Sequence, residues 1–124
     1  MEPPEIALRE FEAVRANYVR CLERLVAQGT YVGIATHDEH LLREGERIVR
    51  EAGLDGSRYE FQMLLGVRPE RADALVRAGH RVRIYVPFGR QWYEYSLRRL
   101  QENPAMAGTI ARAAAGRVLS LRRP

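Results

Sequence analysis

The sequence predicts an α/β fold of parallel strands, and three observations carry that expectation. Short apolar, β-branched or aromatic runs occur at residues 30–35, 59–65 and 82–86, the composition of buried strands. Amphipathic stretches with helix start and stop residues lie before, between and after them. The strand starts, near residues 31, 59 and 82, are far enough apart for a helical crossover, which parallel neighbours need and hairpin neighbours do not.

The elements follow in order. Pro3-Pro4 favours an extended or turn start. Phe11, Val14, Tyr18, Leu22 and Leu25 then recur at threes and fours, a helical stripe that stops before Gly29. Cys21 lies beside the stripe and is expected to pack as a small apolar side chain, since Arg20, Glu23 and Arg24 supply no catalytic base. The first strand gives way to Thr36-His-Asp-Glu39, with Asp38 placed to cap a helix over residues 39–52 that buries Leu41, Leu42, Ile48 and Val49 and stops at Gly53. Leu54-Asp-Gly-Ser-Arg58 is turn chemistry.

In the second strand, alternation puts Glu60, Gln62 and Leu64 on one face and Tyr59, Phe61 and Met63 on the other. A carboxylate facing inwards is costly unless hydrogen-bonded, so Glu60 is expected to be satisfied by neighbours in a structural role. Pro69 opens a helix over residues 70–78, with Leu75 and Val76 inward and Gly79 as its stop. The third strand leads through Pro87 and Gly89 into an aromatic, arginine-bearing helix from Trp92 to Gln101. The Ala-rich residues 105–121 predict a last helix, interrupted at Gly108 and Gly116.

Composition narrows the function. With 46% hydrophobic and 29% charged residues, the chain has the balance of a soluble globular domain. All 20 basic residues are arginine, interleaved with 16 acidic ones, and the longest basic runs are Arg98-Arg99 and Arg122-Arg123. That diffuse charge argues against a nucleic-acid partner. Without lysine, this chain supplies no Schiff base or lysine general base. One cysteine makes no internal disulfide, no apolar run reaches the ~18–20 residues of a membrane span, and the start lacks a secretory pattern. The expected location is cytoplasmic. His37 and His40 flank two carboxylates, but a zinc site needs three or four assembled ligands and only His80 remains; no metal is expected.

The chemistry concentrates in the third strand and the helix after it. At helical spacing, Tyr95, Arg98, Arg99 and Glu102 share or adjoin one face. Adjacent guanidinium groups can fork onto a carboxylate or phosphate, and a nearby glutamate can hold an ammonium group. The same spacing also suits a solvated face with a weak ion pair, worth ~0–1 kcal/mol, and spacing does not choose between the two.

The order Tyr85-Val-Pro-Phe-Gly89, Trp92-Tyr-Glu-Tyr95, Arg98-Arg-Leu-Gln-Glu-Asn-Pro104 resembles the carboxy-terminal signature of the bacterial monofunctional flavin-dependent proline dehydrogenase family. Gly33-Ile-Ala-Thr-His-Asp38 is similar to its flavin-contacting strand end, and Tyr59-Glu-Phe-Gln-Met-Leu64 to the next barrel strand. The resemblance covers nearly the whole chain. It implies a partial (β/α)8, TIM-like barrel over residues 1–124: the last three βα units with a preceding helix and a carboxy-terminal helix. A whole barrel typically takes ~250 residues, so the domain is expected to be incomplete, with a missing N-terminal half or a homo-oligomer to complete it.

The implied activity is oxidation of L-proline to Δ1-pyrroline-5-carboxylate, with hydride passing to FAD and electrons on to a quinone, the first step of proline degradation to glutamate. Peripheral membrane association of the full enzyme goes with a quinone partner. The implied roles are Arg98 and Arg99 on the substrate carboxylate, Glu102 near its amino group, and Tyr85, Tyr95 and Leu64 around its ring. Thr36 and His37 would contact the FAD, His37 towards the adenosine end. The lysine, aspartate and flavin-contacting arginine that the family carries upstream are absent. An inactive fragment, an interaction module docking through Arg-rich helices, and a phosphate-binding barrel fragment are therefore the alternatives.

Overall fold

The computed structural model describes residues 7–86, 88 and 89. They form α1 (Phe11–Ala27), β1 (Val32–Ala35), α2 (Glu39–Glu51), β2 (Tyr59–Leu64), α3 (Pro69–Arg77) and β3 (Val82–Tyr85). The expected helices over residues 92–101 and 105–121 lie outside the described residues.

The three strands make one parallel sheet in the order β1-β2-β3. Ile34 stands opposite Phe61, Phe61 opposite Val82, and Leu64 opposite Tyr85. Because alternate residues face opposite sides, this register sorts the sheet into two unlike faces. Val32, Ile34, Tyr59, Phe61 and Met63 are buried against Leu22 of α1, Leu42, Ile48 and Val49 of α2, and Ala72 and Leu75 of α3. Gly33, Ala35, Glu60, Gln62, Leu64, Arg83 and Tyr85 share the other face. With its helices on one side and a polar second face, the described α/β unit is consistent with an arc of an α/β barrel.

All three helices end in the same way. Gly29, Gly53 and Gly79 have φ of 68°, 62° and 86°, and in each case the glycine N–H and the next N–H return to carbonyls in the last turn: Gly29 to Val26 and Thr30 to Leu25, Gly53 to Arg50 and Leu54 to Val49, Gly79 to Val76 and His80 to Leu75. That double closure absorbs orphan carbonyls at the helix end and needs a residue at ease with positive φ. At the start of α2, Asp38 Oδ1 accepts from the Leu41 N–H at 3.1 Å, as the sequence predicted.

Gly45 places α2 against the sheet. A Cβ there would stand 3.1 Å from Phe61 Cε1 and 3.3 Å from Ile34 Cγ2. Mid-helix glycine costs about 1 kcal/mol relative to alanine, and the close approach of helix to strand offsets it.

Three expectations about side-chain packing need correction. The buried side of α1 is rotated from the expected stripe: Tyr18, Val19, Leu22 and Val26 meet the core, whereas Phe11 is 61% exposed and Val14 and Leu25 are also exposed. Phe11 instead lies under the Arg15 guanidinium, 4.1 Å from the ring centroid. Cys21 is exposed, not packed, because it lies outside that rotated face. In α3, Leu75 is fully buried but Val76 is 57% exposed; it is turned ~100° from Leu75 about the helix axis, and Ala72 takes the second core position.

Candidate active site

Parallel strands end on the same side of a sheet, so Thr36-His37, Leu64-Leu65 and Tyr85-Val86 emerge together. Leu64 and Tyr85 are register partners, and the Leu65 N–H donates to the Tyr85 carbonyl at 2.9 Å. Their side chains therefore stand next to one another at the rim. Leu64 is half-buried and Tyr85 exposed.

Thr36 and His37 belong to a tightly tied turn. Thr36 Oγ1 accepts from the Asp38 N–H at 3.1 Å, and Asp38 Oδ2 accepts from Arg15 Nη2 at 2.7 Å and Nε at 3.1 Å, which fastens α1 to the start of α2. The His37 ring crosses to the neighbouring strand, where Nε2 accepts from the Leu64 N–H at 3.0 Å. An imidazole accepts only through an unprotonated nitrogen, so the ring is neutral with its proton on Nδ1. Burial, and then the charge of Arg68, hold its pKa below the ordinary 6.5, in agreement with that geometry.

Arg68 completes the connection from the opposite direction. Its Nη1 donates to the His37 carbonyl at 2.9 Å and its Nη2 to Glu39 at 2.6 Å. The residue has φ 50°, a left-handed conformation uncommon outside glycine and asparagine, immediately before Pro69, which disfavours the α region there. Sequence reasoning identified Pro69 as a helix start but missed Arg68, because its partners are about thirty positions away.

Beneath the rim the open face carries a polar layer. Glu60 is 2% exposed and is held by Arg83, whose Nε and Nη2 reach its two oxygens at 2.6 and 3.0 Å, and by Gln62 Nε2 at 2.8 Å. This is the satisfied structural role expected for Glu60. Gln62 lies over Gly33, where a Cβ would come within 2.6 Å of Nε2. Arg83 was not singled out from sequence; its place on the Glu60 face follows only once the register is known.

The Arg83 hydrogen bonds first, and then that of Gln62, pull the Glu60 pKa from 4.5 to about 2. The folded state therefore favours the carboxylate. Its stabilising contribution is complete above pH 4.5 and is lost as pH falls from there through about 2. Arg83→Met is expected to move the Glu60 titration upwards, past 4.5 if the carboxyl stays covered, and to begin acid unfolding at higher pH. A side-chain carboxyl NMR titration with parallel circular dichroism measures both; an unmoved Glu60 titration would contradict the pairing.

Of the residues singled out from sequence, the structure brings Thr36, His37, Leu64 and Tyr85 to one rim. Tyr95, Arg98, Arg99 and Glu102 lie outside the described residues. Among the described residues no group of three His, Cys, Asp or Glu side chains could hold a metal ion, and no helix is long and apolar enough to cross a membrane.

A family model described as proline dehydrogenase matches residues 5–112. A proline dehydrogenase of Deinococcus radiodurans is 37% identical over 110 residues, which is 89% of this chain and 36% of that protein. Proline dehydrogenase 1 of Bacillus subtilis is 34% identical over 109 residues, 88% of this chain and 36% of its own length. A hydroxyproline dehydrogenase of Bos taurus is 33% identical over 104 residues, 76% of this chain and 22% of its own. The chain thus spans about a third of the length of the bacterial relatives it matches.

Proposed function

The chain belongs to the proline dehydrogenase family, and from that membership we propose that it supplies the substrate-binding strand ends and helix of an enzyme that oxidises L-proline. The observation that carries this reading is the rim itself. Leu64 and Tyr85, assigned to the substrate ring, are adjacent strand partners, and His37, assigned to the cofactor, is one hydrogen bond from Leu64. In this reading a substrate wall and a cofactor contact lie side by side at the carboxyl ends of parallel strands, where barrel enzymes collect their active sites.

In this reading the rest of a (β/α)8 barrel completes the pocket on the polar face. Arg98 and Arg99 bind the proline carboxylate through forked hydrogen bonds, Glu102 holds the ring nitrogen while it is protonated, and Tyr85, Tyr95 and Leu64 enclose the methylenes and keep water from the reacting carbon. Oxidation removes a hydride from the ring carbon next to nitrogen and a proton from the nitrogen, leaving the C=N bond of Δ1-pyrroline-5-carboxylate. Glu102 is the residue assigned to accept that proton.

The donors at the first strand end suit FAD. Thr36 Oγ1 accepts from Asp38 and leaves its hydroxyl proton to donate, and His37 keeps Nδ1–H after Nε2 is engaged. Two such donors match the acceptor-rich adenosine end of the dinucleotide. When bound, FAD supplies the hydride acceptor and, through its reoxidation, the path of electrons to a quinone. Proline-dependent loss of the visible flavin band, in the FAD-loaded chain extended to the length of its relatives, tests the reading.

A further inference from the structure

The side chain of His37 reaches from the β1 end to the Leu64 N–H at 3.0 Å, while the side chain of Arg68 returns from beyond the β2 end to the His37 carbonyl at 2.9 Å. The two loops are tied in both directions across adjacent strands. We propose that His37, steadied by Arg68, is a positioning residue that latches the end of β2 and so sets Leu64 against the proline ring, and that the latch holds only while the imidazole is neutral. The inference rests on the reading of Leu64 as a wall of the proline site.

The chemistry of the bond gives the switch its direction. Protonated imidazole has no lone pair for the Leu64 N–H, so protonation converts an acceptor into a second donor facing a donor. The half-buried ring must then move, and the Leu64 amide loses its partner at the strand terminus. No ladder bond replaces it, because the β1–β2 register reaches only Ala35 and Gln62.

Among the described residues, the charges near the ring are those of Arg68, Glu39 and Asp38. Arg68 faces it from the loop before α3 and disfavours protonation. Glu39, in the first turn of α2, is occupied by Arg68, Arg71 and Arg43, and Asp38 by Arg15 of α1. With both nearby carboxylates paired to arginine, burial and Arg68 prevail. The ring protonates below its ordinary 6.5, so the latch is closed at neutral pH and opens on acidification.

The test is made in the FAD-loaded chain extended to the length of its relatives, and compares it with His37→Gln and Arg68→Met. Glutamine Oε1 can accept from the Leu64 N–H but does not titrate, and removing Arg68 takes away the charge that opposes protonation. In 15N-labelled wild type, the Leu64 amide resonance should follow the His37 ring with the same midpoint. In His37→Gln it should stay flat over that range, and in Arg68→Met its midpoint should move to higher pH. With each protein normalised to its own KM above the midpoint, the KM for L-proline should climb several-fold on acidification in wild type and not in His37→Gln.

A Leu64 amide indifferent to the His37 titration overturns the latch. Matching KM profiles in wild type and His37→Gln overturn its role in positioning substrate. If no variant turns over proline although the Leu64 amide tracks His37, the proline reading fails and the latch stands.

Discussion

In a flavin-loaded chain extended to the length of its relatives, Arg99→Lys is expected to raise the KM for L-proline by roughly 10–100-fold, a loss of about 1.4–2.8 kcal/mol of substrate binding, while leaving the flavin spectrum nearly unchanged. Lysine keeps the positive charge, so long-range attraction for the carboxylate survives. What it cannot reproduce is the planar fork that donates two parallel hydrogen bonds with fixed geometry. The loss should fall mainly on KM, because the carboxylate is bound alike before and during oxidation and its contact is a uniform binding interaction. Arg98→Lys is expected to give a similar or larger loss. An unchanged KM in steady-state assays would remove Arg99 from the substrate site and favour the solvated-face reading of the Arg98-Arg99 pair.

The largest effect on stability is expected at Phe61. The ring is fully buried in the central strand, edge-on to Tyr59 at 6.1 Å and to His80 at 5.1 Å between centroids, and it fills the space that Gly45 opens beneath α2. Truncation removes core area and leaves a cavity that two strands and a helix cannot easily close. Phe61→Ala should therefore cost ~3–5 kcal/mol, and Phe61→Leu, which keeps much of the volume, about 1.5 kcal/mol or less. Since folded domains hold only ~5–15 kcal/mol in reserve, the alanine variant should show a large fall in urea midpoint. A loss below about 1 kcal/mol for Phe61→Ala would mean that this face of the sheet is not the core.

Much of the fold was legible from local patterns. Period-two alternation sorted β2 into Tyr59, Phe61 and Met63 against Glu60, Gln62 and Leu64, and three glycines marked three helix ends. Asp38 declared itself as a cap by its place between a strand and an apolar-periodic run. What failed was rotation about a helix axis: the spacing of Phe11, Val14 and Leu25 is helical, but the core selects the neighbouring face through Val19, Leu22 and Val26. Sequence periodicity specifies a stripe, whereas the tilt of the helix on the sheet decides which edge of the stripe is covered.

The candidate site divides along the same line. That Thr36, His37, Leu64 and Tyr85 lie at strand ends followed from strand length and order. That His37 reaches the Leu64 amide, Arg68 the His37 carbonyl and Arg83 the Glu60 carboxylate did not, because each bond joins positions more than twenty apart and depends on strand register. The roles of Tyr95, Arg98, Arg99 and Glu102 rest on the family signature.

The most direct test of the proposed proline site uses the 15N-labelled, FAD-loaded chain extended to the length of its relatives, titrated with L-proline under anaerobic conditions while amide resonances and the visible flavin band are followed together. The predicted result is saturable movement of the Leu64 and Tyr85 amides with loss of the flavin band, and no response to phosphate compounds. Amides that ignore L-proline with the band intact, or that respond only to phosphate, would contradict it.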